Sequence, residues 1–219
     1  MDINYKESFS QIKIAGSLAA ETLDEVTSYI KPGVTTDKID KICYEFIRDN
    51  GGYSAPLFYR GFPKSCCTSP NHVVCHGIPT NKYLNEGDIV NVDVTAMVNG
   101  WHGDTSRMFF VGEVSTKSKN LVSATYESMM KAISIIKNGM NLGDIGNAIQ
   151  SFVEKKGFQS CILYLIQRHD CKAFKIAEDI DINYKIAFDK AIKAGVKILC
   201  YDCKINDEEV ELNNQIELV

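Results

Sequence analysis

Proline is absent after Pro79, tryptophan occurs once, and the 219 residues hold only four histidines. The missing prolines mark a change of composition along the chain. The histidine count is a tighter constraint, because only His169 follows His102. A metal site built on imidazoles from the part of the chain after His102 therefore has a single candidate. No apolar run approaches the roughly 20 residues that cross a bilayer, and the start Met1-Asp-Ile-Asn-Tyr-Lys-Glu-Ser lacks an apolar signal core. The expectation is a cytoplasmic protein with no membrane partner. A formal net charge of −4 gives no electrostatic reason to bind nucleic acid.

With 45% hydrophobic and 24% charged residues, the chain has the composition of a globular protein long enough for one large core or two small ones. Its eight cysteines, without a secretion signal, read as reduced thiols that pack as small apolar groups. The lone C-x-x-C, Cys200 to Cys203, has no second pair to complete a zinc site.

Phe9, Ile12, Ala15, Leu18, Ala19, Leu23, Val26 and Ile30 recur at helical spacing and predict an amphipathic helix that stops at Lys31-Pro-Gly33. A second helix follows Thr36, with Ile39, Ile42, Cys43, Phe46 and Ile47 on one face. Strand and turn material runs to Gly112, and two more helices are expected at about 118–137 and 143–156. These later helices repeat the earlier pair. Lys31-Pro-Gly33, Ile39, Phe46-Ile47 and Gly51 return as Lys137-Asn-Gly139, Ile145, Phe152-Val153 and Gly157 without a gap. After Phe158 the pattern changes to strand (161–167), helix (183–194) and two further strands. That β-α-β-β segment is too small to bury a core alone. The fold class expected is α+β.

Asp88 to Val98 alternates and is rich in β-branched residues, Asn99-Gly100 is a two-residue hairpin turn, and Trp101 to Val111 returns. Counting back from the turn places Thr95 opposite Asp104, so Asp93 is the diagonal neighbour of Asp104 on the same face, with Cβ atoms roughly 7 Å apart. Two carboxylates that close, facing a core, repel each other and are poorly solvated, and a divalent cation between them removes both costs. The alternatives are acids on a solvated sheet face, or one acid held protonated.

The run Tyr59-Arg-Gly-Phe-Pro-Lys-Ser-Cys-Cys-Thr-Ser-Pro-Asn-His-Val-Val-Cys-His-Gly-Ile-Pro79, with Asn91-Val-Asp-Val-Thr95 and His102-Gly-Asp-Thr-Ser106, resembles type I methionine aminopeptidases over roughly residues 6 to 158. The resemblance implies the first half of a two-halved pita-bread fold. It also implies Asp93 and Asp104 as the first ligands of a site for two divalent metal ions (manganese, iron, cobalt or similar), with Asp104 bridging. His76 then takes the catalytic and substrate-contacting position near the scissile amide, Tyr59, Phe62 and Cys67 line a methionine pocket, and the partners are peptides with an N-terminal methionine. His102 stands beside a ligand without being one.

The family completes its site with two histidines and two glutamates further along, and those contexts are absent here. Residues 159 to 219 resemble instead the C-terminal end of the sugar fermentation stimulation protein family, through Tyr164 to Tyr184 and Ala194 to Cys203. The chain thus reads as 1–158, a truncated peptidase-like part, joined to 159–219. The function expected is that of a metal-dependent methionine aminopeptidase impaired by its missing ligands. The alternatives are a non-catalytic fusion relic or binding protein and, more remotely, a nucleic-acid-binding module.

Overall fold

The computed structural model describes residues 5–158, which fall into two compact units, 5–114 and 115–158. The strands and helix expected beyond Phe158, the Cys200–Cys203 pair and His169 lie outside the described residues. In the first unit the order is α1 (Tyr5–Thr27), α2 (Thr36–Asp49), β1 (Tyr53–Ser54), β2 (Cys67–Pro70), β3 (Ile89–Val98) and β4 (Trp101–Phe110). Helix α2 starts where the side chain of Thr35 accepts the Lys38 N–H, an N-cap that satisfies one of the orphan donors of the first turn.

β3 is the central strand of a four-stranded sheet and forms an antiparallel hairpin with β4. Asn99 and Gly100 both take positive φ, at 52° and 80°, as a two-residue turn between twisted strands requires. The register is the one counted from the turn: Val98 faces Trp101 and Thr95 faces Asp104. β4 takes one edge of β3, while β1 and β2 share the other, pairing with its last and first halves respectively.

Period-two alternation then divides β3 between two environments. Val90, Val92, Val94 and Ala96 are fully buried and belong to one apolar cluster with Leu18, Leu23, Val26, Ile39 and Ile47 of α1 and α2. Asn91, Asp93 and Thr95 point the other way and are only half-buried. This corrects the expectation that the two acids face the core. The β-branched residues took the helix-covered side, so the carboxylates were left on the opposite face, where Asp93 is half-buried and Asp104 exposed.

Phe9 and Ile12 also depart from expectation, because both are exposed. The hairpin turn lies level with Gln11, whose side-chain oxygen accepts a hydrogen bond from Asn99 Nδ2 at 3.3 Å, so the first turns of α1 reach the end of the sheet. The buried stripe begins at Ala15. There Gly103 of β4 lies so close to α1 that an added Cβ would stand 2.2 Å from the Gly16 nitrogen and 2.3 Å from the Ala15 carbonyl carbon.

The second unit is a helix pair, α3 (Thr116–Ser134) and α4 (Leu142–Lys155). Its geometry repeats that of α1 and α2 in detail. Gly33 and Gly139 have φ of 85° and 83°, and Gly51 and Gly157 have 78° and 81°. The N-caps Thr35 and Asn141 share ψ of 151°. The Gly52 N–H donates to the Ile47 carbonyl at 2.9 Å, as the Phe158 N–H donates to Val153 at 3.0 Å.

The approach at Gly103 yields a test of the hairpin's seat. Gly103→Ala should cost about 1–3 kcal/mol through overpacking against helix backbone, read as a lower midpoint in chemical denaturation with an unchanged slope.

Candidate metal and substrate site

Three strands bring the candidate residues to one sheet face. Asp93 sits in the centre of β3, with Ser106 as its partner on β4 and Cys67 as its partner on β2. Directly opposed residues of antiparallel strands project to the same face, so Cys67, Asp93 and the diagonal Asp104 share it. His102 also lies on this face, opposite Met97, and is exposed.

The two carboxyl groups lie close enough to interact directly. Burial, then the negative charge of Asp104 and a side-chain interaction with it, push Asp93 up to about 7. Near neutrality the pair therefore carries less charge than two free carboxylates would. A divalent cation would relieve the same repulsion, with hard oxygen donors that suit it. The donor set fits the beginning of a metal site and no more. Among the described residues no group of three or more His, Cys, Asp or Glu side chains gathers to hold an ion.

Cys67 is buried, and its thiol is pushed up to about 12, first by burial and then by the charges of Asp93, Cys75 and Asp104. It therefore presents a neutral, apolar sulfur to this face. Cys66, one residue earlier, points into the core, where its thiol is raised by a hydrogen bond with Cys43 and by burial.

His76 adopts positive φ, 53°, and its side chain is exposed. Its neighbour Gly77 is locked against β2, since the Thr68 N–H donates to the Gly77 carbonyl at 2.9 Å and the Gly77 N–H to Ser69 Oγ at 3.1 Å. A Cβ on Gly77 would stand 2.1 Å from the Thr68 carbonyl oxygen, so the residue type is dictated by the approach. Tyr59 lies in a single 3-10 turn (Tyr59–Gly61) and is 64% exposed, whereas Phe62 is half-buried. The structure thus brings Cys67, Asp93 and Asp104 together and seats His76 on the chain segment beside β2.

Sequence reading missed the residue that anchors the strand carrying Cys67. Asp40 of α2 accepts the backbone N–H groups of Ser65 at 2.6 Å and Cys66 at 3.2 Å, and Lys64 pairs with Asp37 at 2.6 Å. Burial raises the Asp40 carboxyl above its ordinary value, against the lowering pull of those two N–H groups and Lys64. The available signal was an acid on α2 three residues after Asp37, beside a helix face otherwise occupied by Ile39, Ile42 and Cys43.

With this geometry in place, comparison with known proteins assigns the class. The sequence pattern of metallopeptidase family M24 matches residues 10–181, and the chain belongs to that family. It is 53% identical over 156 residues to a methionine aminopeptidase of Rickettsia prowazekii, covering 71% of this chain and 60% of that protein. It is 48% identical over 160 residues to the methionine aminopeptidase of Escherichia coli K12, covering 72% and 61%. The crystal structure of the Rickettsia prowazekii enzyme superposes with a TM-score of 0.70 at 52% identity, over 73% of this chain and 64% of that one. A Bacillus anthracis Xaa-Pro dipeptidase, at 23% identity and a TM-score of 0.63 over 69% of this chain and 41% of that one, shares the fold. The architecture is accordingly that of the pita-bread peptidases, in part. The chain spans about three fifths of the length of the curated relatives it matches.

Asp40 gives a testable contrast. Asp40→Ala leaves two backbone N–H groups without their acceptor and should cost about 1–3 kcal/mol. Asp40→Asn keeps an acceptor and should be milder. Because the folded carboxyl is raised, its contribution to stability is fully present below the unfolded value near 3.9 and is lost as pH rises through the folded value. The Asn variant should therefore lose less stability than the wild type between pH 4 and neutrality, as read by denaturant midpoints across pH.

Proposed function

We propose that this chain is a methionine-aminopeptidase-like metallopeptidase whose described residues supply the first metal ligands and part of the substrate pocket, and that it works poorly on its own. The observation that carries the reading is the contact of the Asp93 and Asp104 carboxyls on the sheet face shared with Cys67, in a chain 53% identical to a methionine aminopeptidase. Asp93 and Asp104 would hold the divalent ion or ions, with manganese, iron and cobalt all compatible with oxygen donors. When bound, such an ion acts as a Lewis acid on the peptide carbonyl and lowers the pKa of water.

The chain's own groups would handle the substrate. Tyr59, Phe62 and the neutral sulfur of Cys67 offer apolar, polarizable contacts to a thioether side chain. His76 would contact the peptide near the scissile amide. The substrate class is peptides carrying an N-terminal methionine, as in nascent proteins. Two aspartates are the donors that the described residues supply, and the impairment is argued from the sequence, in which the contexts of the family's later histidine and glutamate ligands do not occur. The free thiols Cys43 and Cys66, both buried, suit the reducing interior of a cell and support a cytoplasmic location. No described helix is long and apolar enough to cross a membrane. The peptidase-like part is proposed to take in residues 1–158, and the family pattern runs on to residue 181. The resemblance of 159–219 to the sugar fermentation stimulation proteins concerns residues outside those described.

A second reading, a non-catalytic binding protein, is favoured by the same two-ligand count. The experiment that separates them is methionine release from a short methionyl peptide by the purified chain, loaded in turn with manganese, cobalt and iron. The proposal expects metal-dependent release at no more than about one hundredth of the rate of the Rickettsia prowazekii enzyme, abolished in Asp104→Asn. Release equal to that enzyme's would contradict the impairment, and release unaffected by Asp104→Asn would remove the aspartate site from the reaction.

A further inference from the structure

The side chains of β2 divide between two faces as those of β3 do. Thr68 lies opposite Val92 on the helix-covered side, whereas Cys67 and Ser69 lie opposite Asp93 and Asn91 on the side that carries the carboxyls. Ser69 is nevertheless only 4% exposed. A hydroxyl buried on that face needs a partner, and Ser69 finds one in the segment that returns to β2 after Cys75.

In a regular antiparallel ladder, two residues of a hydrogen-bonded pair exchange both N–H and C=O groups. Thr68 and Gly77 make one of the two bonds, from the Thr68 N–H to the Gly77 carbonyl at 2.9 Å. The Gly77 N–H turns aside and donates to Ser69 Oγ at 3.1 Å. A side-chain oxygen thus does the work of the Thr68 carbonyl, which stands so near Gly77 that an added Cβ would be 2.1 Å from it.

The Gly77 N–H belongs to the peptide plane that follows His76, so the hydroxyl fixes that plane. His76 has φ of 53°, a left-handed conformation that a residue other than glycine keeps only where its surroundings hold it there. Its side chain is exposed, so burial does not aim it, and the backbone sets the direction of the Cα–Cβ bond. Asn71, also left-handed at 49°, opens the same loop and is pinned separately: its N–H donates to the Ile89 carbonyl at 2.8 Å and its Nδ2 to Asp88 at 2.9 Å. Of these two attachments, the one at Ser69 adjoins His76.

We propose that Ser69 is a positioning residue: by accepting the Gly77 N–H, it holds His76 in the left-handed conformation that directs its imidazole to the substrate. The inference rests on the proposed reading of His76 as the group that contacts the peptide. Ser69 itself touches no reacting atom in this scheme.

The test uses four variants of the full 219-residue chain. Ser69→Ala removes the acceptor, and Ser69→Cys replaces it by a weak one of nearly the same shape, which keeps the test decisive should the alanine variant not fold. Ser69→Thr retains the hydroxyl. Thr68→Val is the control, because Thr68 Oγ1 is buried on the other face of the same strand without a hydrogen-bond partner among the described residues. The first readout is nuclear magnetic resonance of the metal-free chain, which needs no activity. Exchange protection of the Gly77 amide should fall at least about tenfold in Ser69→Ala and Ser69→Cys. The strong cross-peak between the His76 amide and α protons, the mark of positive φ, should weaken with it. Ser69→Thr and Thr68→Val should match the wild type. The second readout is methionine release by the metal-loaded chain, where Ser69→Ala should lower kcat at least about tenfold with KM within about twofold, and Ser69→Thr should restore it. An unchanged His76 cross-peak in Ser69→Ala and Ser69→Cys overturns the proposal, as does an equal change in Thr68→Val or a changed cross-peak with unchanged kcat. A wild type that releases no methionine counts against the proposed function, and the first readout then still decides whether Ser69 holds His76.

Discussion

The fold and the site both depend on the alternation of one ten-residue strand. β3 buries Val90, Val92, Val94 and Ala96 under two helices, and that obligation leaves Asp93 no option but the opposite face. The two-residue turn at Asn99-Gly100 then fixes which residues of β4 lie beside it. A register slip of one residue would turn the valines to solvent and the aspartates into the core, so hydrophobic burial enforces the carboxylate pair. The same packing draws Gly103 against α1, with Asp104 adjacent and directed to the other side. The hairpin is thus held from behind by close backbone approach and presents its acids in front.

Such a pair is costly for a protein that has no use for it. A half-buried face solvates two neighbouring negative charges poorly, and Asp93 is shifted towards neutrality by burial and by the charge of Asp104. Around the pair the chain places groups that add no further charge: a neutral Cys67 thiol on one side and Ser106 on the other. Asp40, in turn, holds the segment that delivers Cys67 by accepting its preceding backbone N–H groups. The arrangement supports the proposed site for a cation and an uncharged side chain.

Much of this was legible in the sequence for a physical reason. Turn chemistry at Asn99-Gly100 sets register by counting, so the relation of Thr95 to Asp104 needed no knowledge of the rest of the molecule. The repeat was legible because glycines with positive φ, at Gly33, Gly51, Gly139 and Gly157, punctuate both helix pairs at matching positions. The direction in which the acids face was misread, because alternation alone gives two faces and does not say which one the helices cover. Phe9 and Ile12 continue the periodicity of α1 into turns where the sheet ends, and period carries no information about the length of the partner. Asp40 was missed because its partners are backbone N–H groups some 25 residues away, which no local pattern encodes.

The central claim is that Asp93 and Asp104 form a cation site. The most direct measurement is a manganese(II) titration of the chelator-treated chain at neutral pH, followed by electron paramagnetic resonance of the free ion, for wild type, Asp93→Asn and Asp104→Asn. The account predicts saturable binding in the wild type that weakens at least about tenfold in either variant while the fold persists. Equal binding by all three proteins, or no saturable binding by the wild type, would contradict it.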